Sequence, residues 1–161
     1  MNEEEIRHII CAVRGRPESR ATVTHAIDLA LKHGARLTFL HVMDAEFLQH
    51  ATIGPLSVIY EELNKMGQFA MMILCDRATR RGVSEVGYVV MQGNIRNQID
   101  QFVRNSPADI IVMGKPKPKT ARSIFRENEI RVYIHQLEEQ ANIRVVQVDP
   151  DSVNQKPPDK L

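Results

Sequence analysis

Tryptophan is absent from this 161-residue chain and aromatic residues make up only 5% of it, so platforms for stacking nucleic-acid bases are scarce. Cysteine is nearly absent too. Cys11 and Cys75 are too few for a disulfide framework and both fall in apolar segments, as suits a reducing cytoplasm. Charge of one sign is not in excess: 21 Lys and Arg stand against 20 Asp and Glu, a net charge of +1. Such a balance gives no global field for nucleic acid or an acidic membrane. No apolar run approaches the ~20 residues of a membrane span, and Met1 to Glu5 is too polar and acidic for a signal peptide. The expectation is a cytoplasmic protein with neither a nucleic-acid nor a membrane partner. Catalytic motifs are missing as well: no serine elbow, no paired carboxylates, no Walker-type lysine. The histidines His8, His25, His33, His50 and His135 show none of the short spacings of zinc sites. Neither enzyme activity nor a metal is expected.

What is present suits one globular domain, with 43% hydrophobic and 25% charged residues. A chain of this size buries roughly 68–70% of the surface its unfolded state exposes, enough to fold without a staple. Ile6 to Val13 reads as a strand buried on both faces and stopped at Arg14-Gly15-Arg16-Pro17. Pro17 suits the first turn of a helix whose buried face is Val23, Ala26, Ile27, Ala30 and Leu31, capped by Gly34. Arg36 to Met43 is a second strand, and Asp44 to Pro55, without period, a surface loop. The longest helix signal runs from Leu56 to Arg81, with Ile59, Leu63, Met66, Ala70, Leu74 and Ala78 on one stripe. Gly67 weakens it by about 1 kcal/mol relative to alanine. Gly82 ends it. Val86 to Met91 is a strand, Asn94 to Asn105 a helix, and Asp109 to Met113 a compact apolar strand closing at Gly114. Next comes the basic run Lys115 to Arg122, then a helix carrying Ile130, Tyr133, Ile134, Leu137 and Ala141, and a fifth strand from Ile143 to Val148. Residues 149–161, with three prolines, hold too little apolar surface to fold alone. Strand alternating with helix predicts an α/β sandwich with a parallel sheet, and ligands of such sheets sit beyond the strands' carboxyl ends.

The loops at those ends carry a resemblance. Ile9 to Val13 leading to Gly15, then Ala26 to Leu31 with Gly34 to Leu37, then Leu40-His41-Val42, and above all Asp109 to Gly114 followed by a helix and a last strand, are similar to the universal stress protein family. The likeness spans Arg7 to Val148. It implies a three-layer sandwich with a five-stranded parallel sheet of order 3-2-1-4-5, of the adenine nucleotide alpha hydrolase-like kind, filling residues 1–148 and leaving 149–161 as a tail. It also implies a cytoplasmic homodimer, paired antiparallel through the last strand, here Ile143, Arg144, Val145, Val146, Gln147 and Val148.

Members of the family that bind ATP carry an acid at the end of the first strand. After the fourth strand they carry Gly, two residues, Gly, nine residues, then Gly-Ser or Gly-Thr. Small residues there let backbone N–H groups reach phosphate beside a helix N-terminus. By family position the cofactor would meet Val13, Arg14, Val42, Met113, Gly114, Lys117 and Asn128. Only Gly114 keeps the pattern: Arg14 replaces the acid, Lys117 the second glycine, Glu127 the third and Asn128 the hydroxyl. The resemblance is therefore to the branch lacking the motif, with no ATP or AMP cofactor expected and stress-response work done through a protein partner. The alternative is a nucleotide or anion sensor that binds ATP or AMP in an altered cleft at Arg14 and Gly114, in which Lys115, Lys117, Lys119, Thr120, Arg122 and Ser123 hold phosphate by charge beside a helix N-terminus. On plain readings Gly114 serves the turn after its strand and His41 is a packed, hydrogen-bonded residue. Met43, Met66, Met71, Met72, Met91 and Met113 fill the core, and Cys11 is a small buried hydrophobe.

Overall fold

A computed structural model describes residues 4–14, 19–44, 56–115 and 121–149. Strand and helix alternate along them as β1 (His8–Val13), α1 (Ser19–His33), β2 (Arg36–Met43), α2 (Leu56–Arg81), β3 (Val86–Gln92), α3 (Ile95–Asn105), β4 (Ile110–Gly114), α4 (Ala121–Ala141) and β5 (Arg144–Val148). All pairings are parallel and the sheet order is β3-β2-β1-β4-β5, as the resemblance implies. Parallel neighbours cannot be joined by a tight hairpin, so each connection crosses a face of the sheet. Helices α1 and α2 cover one face, where Ile9, Cys11, Leu37, Phe39 and Val112 meet Val23, Ile27 and Met71. Helices α3 and α4 cover the other, where Ile10, Leu40 and Ile111 meet Ile99, Val103 and Leu137. Both faces of β1 are thus apolar, and this is why it reads in sequence as an unbroken run.

Local chemistry sets the element ends. The carboxylate of Asp109 accepts the N–H groups of Arg7 at 2.8 Å and His8 at 2.9 Å, so β1 begins at His8 and not at Ile6. Gly34 closes α1 at φ +61° and Gly82 closes α2 at φ +107°, the left-handed caps expected of them. Asn94 caps α3 by accepting the N–H of Asn97 at 3.2 Å. The last helix is longer than its apolar spacing indicates. It starts at Ala121, so Arg122 and Ser123 stand in its first turn and do not extend the basic loop. Ile143 is buried but precedes β5, because Asn142 takes φ +50° just ahead of the strand. Pro17, the loop at 45–55, most of the basic run and the tail beyond Asp149 lie outside the described residues.

Three apolar expectations are corrected. Leu31 lies at the rim of its helix face and is 37% exposed, while Met66 and Met72 on α2 are 66% and 54% exposed, not core. The rest of the predicted stripe holds in part, since Ala78 is buried and Ala70 and Leu74 pack against the same core, with Gly67 and Met71 joining them on the sheet-facing side. The cause is close approach. A Cβ on Gly67 would stand 3.1 Å from Cδ2 of His41, so glycine lets the helix rest on β2, and Met66, one residue away, turns outward.

At the amino ends of the strands, the imidazole of His8 is buried. Its Nδ1–H donates to the carbonyl of Pro107 at 3.1 Å, and its Nε2 accepts from the Thr38 hydroxyl at 2.8 Å. The Arg36 guanidinium stands 3.2 Å from Nδ1. Burial lowers the pKa of His8 below its ordinary value, helped by the Arg36 charge and opposed by the Pro107 carbonyl, Asp109 and Glu85. A depressed histidine binds its proton more readily in the unfolded chain, so its share of stability is complete above pH ~6.5 and is lost as pH falls from there through the lowered folded value. Thermal melts between pH 7.5 and 5 should show the melting temperature dropping over this window. The drop should be smaller in His8→Gln, and an equal drop in both proteins would refute the assignment.

Candidate functional site

The site is built where pairing stops. The β1–β2 ladder runs to Val13 against His41 and the β4–β5 ladder to Gly114 against Val148, with the Lys115 N–H donating once more to the Val148 carbonyl at 2.8 Å. Between β1 and β4, however, pairing ends at Cys11 against Val112. A crevice therefore opens at the carboxyl ends of the two central strands, the point where strand order reverses and where open α/β sheets place ligands. Of the residues marked by sequence, Val13, Arg14, Met113, Gly114 and Lys115 come together here, with Arg14 and Lys115 exposed. Val42 is half-buried on the α3–α4 face of β2, in the same core as Met113. Helices α1 and α4 both start on this side of the sheet, since each follows the carboxyl end of its strand.

Asn128 does not join them. It lines a groove of about 540 Å³ between α3 and α4, with Arg96, Asn97, Glu129 and Tyr133. That groove satisfies its own groups: Arg96 lies 5.6 Å from the Tyr133 ring centroid and 3.6 Å from the Glu129 carboxylate, and the Tyr133 hydroxyl donates to the Arg96 carbonyl at 3.4 Å. Burial, with the Asp100 charge, pushes the Tyr133 phenol up to about 12, out of reach of acid–base work near neutrality. Arg122 and Ser123 lie in the first turn of α4. Lys117, Lys119 and Thr120 lie outside the described residues.

Two polar residues shape the crevice that sequence did not assign to it. His41, half-buried, donates from Nδ1 to the carbonyl of Val13 at 2.9 Å, fastening the last residue of β1 to β2. This matches its plain reading as a hydrogen-bonded strand residue. Thr22, fully buried on α1, lies across from Gly114, and a Cβ on that glycine would stand 3.0 Å from Thr22 Oγ1. Gly114 pairs as the last residue of β4 and lacks the positive φ of Gly34, Gly82 and Gly93. Its requirement is therefore contact with α1, not the turn chemistry expected of it. No spacing rule could have named Thr22, because a lone threonine between Ala21 and Val23 has no periodic signature. The remaining chemistry is quiet. Burial pushes the thiols of Cys11 and Cys75 up, suppressing the thiolate. Among the described residues no three His, Cys, Asp or Glu side chains cluster to hold a metal.

A five-stranded parallel sheet of this order, helices on both faces and a crevice at the reversal, define an adenine nucleotide alpha hydrolase-like α/β fold. The model of the universal stress protein family matches residues 5–138, and the chain belongs to that family. No curated protein matches it in sequence. Solved structures show the same fold at low identity. The universal stress protein UspA from Lactobacillus plantarum superposes with a TM-score of 0.71 at 19% identity, over 91% of this chain and 99% of that one. A universal stress protein in complex with cAMP gives 0.66 at 13% identity, over 92% and 100%. The universal stress protein from Archaeoglobus fulgidus in complex with dAMP gives 0.57 at 14%, over 89% and 98%.

The contact between β4 and α1 is directly testable. Gly114→Ala should destabilise the protein by about 1–3 kcal/mol through overpacking. The penalty should shrink in a Thr22→Ala background, where the obstructing hydroxyl is gone. Equal penalties in both backgrounds, measured by denaturant unfolding, would show that Thr22 does not impose the glycine.

Proposed function

We propose that the chain serves the stress response as a homodimeric, non-enzymatic cytoplasmic module that does not bind ATP in the manner of the family's nucleotide-binding members. The observation that supports this most is the packing at Gly114. The one glycine the chain retains from the phosphate-binding pattern has its open side filled by Thr22 of α1. Arg14, Lys117, Glu127 and Asn128 replace the remaining members of the pattern, so that by family position an acid stands where the nucleotide-binding members carry their third glycine. Among the described residues no helix is long and apolar enough to cross a membrane, in keeping with a role away from the bilayer. For the dimer, the support is β5, an edge strand with half-buried Val145, Val146 and Gln147 that among the described residues is paired on one side only. An apolar edge left open is a pairing liability that a second copy removes.

A second reading has its own observation. Arg14 and Lys115 are exposed on either side of the crevice, and cations there suit an anion. Relatives in complex with cAMP and dAMP show that this fold accommodates adenine nucleotides elsewhere in the family. Titration calorimetry at low salt with ATP, AMP, cAMP and polyphosphate separates the two. The module predicts no heat; binding that weakens steeply with added salt would establish the sensor in its place. Light scattering on Val146→Asp should show half the mass of the unaltered protein, and an unchanged mass would exclude β5 as an interface.

A further inference from the structure

Helix α2 is apolar on two opposite faces, and among the described residues only one of them is packed. Gly67, Met71 and Ala78 rest on the sheet. On the far side Val58, Met66, Phe69, Met72 and Ile73 are 53%, 66%, 65%, 54% and 52% exposed. Their spacing of three and four places them on a single stripe along a helix about 39 Å long at 1.5 Å per residue. Isolated exposed hydrophobics need no explanation, but five in register do. Together they present on the order of 500 Å² of apolar surface, the size of the largest patch on a typical monomer and more than half of the ~800 Å² each partner gives to a standard interface.

The charges beside the stripe identify what covers it. Its amino-terminal half is flanked by Glu61, Glu62 and Lys65, with Lys65 Nζ 3.3 Å from Glu61 and 3.6 Å from Glu62. Its carboxyl-terminal half is flanked by Asp76 and Arg80, paired at 2.9 Å. Arg77 and Arg81 take no part, since they reach back to α1, to the Thr24 hydroxyl at 2.8 Å and the Asp28 carboxylate at 2.7 Å. An antiparallel copy of the same helix, related by a two-fold axis passing between Phe69 and Met72, sets Phe69 of each chain against Met72 of the other. It also sets Lys65 against Asp76 and Glu61 against Arg80. The pattern is complementary to itself in that orientation, as a two-fold interface requires.

We propose that the outward face of α2 is a second interface of this protein, occupied by α2 of another copy in antiparallel array. It lies over β2 and β3, across the sheet from β5, so the two contacts are independent and both can form in one assembly. The assembly then holds four chains or more, and each interface can be broken alone.

Light scattering on four proteins tests this. Phe69→Glu, at an exposed position, should halve the mass while leaving the far-ultraviolet circular dichroism unchanged. Val146→Asp should leave particles joined through α2, and combining it with Phe69→Glu should yield monomers. Arg80→Glu should weaken the α2 contact, and adding Glu61→Arg should restore it, a rescue that general destabilisation cannot produce. If Phe69→Glu leaves the mass unchanged in both backgrounds, or if Glu61→Arg does not rescue Arg80→Glu, the interface does not exist. Loss of the β5 contact alone would show only as an unchanged mass in Val146→Asp, so failure of that reading is distinguishable.

Discussion

Parallel pairing on both flanks of β1 is the constraint from which the rest follows. With β2 on one side and β4 on the other, β1 has no free edge and no polar face. Its two faces must each be covered by helices, so the chain crosses over after every strand, and two separate cores form above and below the sheet. The same arrangement leaves only β3 and β5 as edges and puts the reversal of strand order beside β1. The crevice at Val13 and Gly114 arises from that topology before any particular side chain is chosen.

Glycine then decides how closely the layers approach. At Gly67 helix α2 settles against His41, and at Gly114 strand β4 settles against Thr22. Each contact sits near the carboxyl ends of the strands, next to the place a ligand would take. His41 in turn holds the carbonyl of Val13, so an acceptor at the mouth of β1 is already engaged within the protein. The crevice is lined by packing in the interior and by cations at the rim, a division of labour different from a loop of glycines offering backbone N–H groups.

How much of this could be read from sequence depends on whether the information is periodic. The alternation of strands with helices and the helix caps are legible, because buried parallel strands make apolar runs and Gly34 and Gly82 stand where helices end, whereas the strand order came from the resemblance. The meeting of Arg14 with Gly114 followed from the resemblance. What escaped was contact between elements. Met66 fits an apolar stripe as well as Met71 does, and only the seat of Gly67 on His41 decides which of them faces the sheet. Gly114 looked like a turn residue because its partner, Thr22, lies on another element. The start of α4 at Ala121 escaped because its first turns carry no apolar period to announce them.

The link between Asp109 and the first residues of β1 spans 102 positions. During synthesis the side of β1 that β4 will occupy stays open until that carboxylate and the strand behind it leave the ribosome, an interval of roughly 5–20 s at about 5–20 residues per second. For that time this centrally buried strand has only β2 beside it. Among the sheet contacts of β1, the one that completes it is the last to become available, so the nascent chain is open to off-pathway association until then.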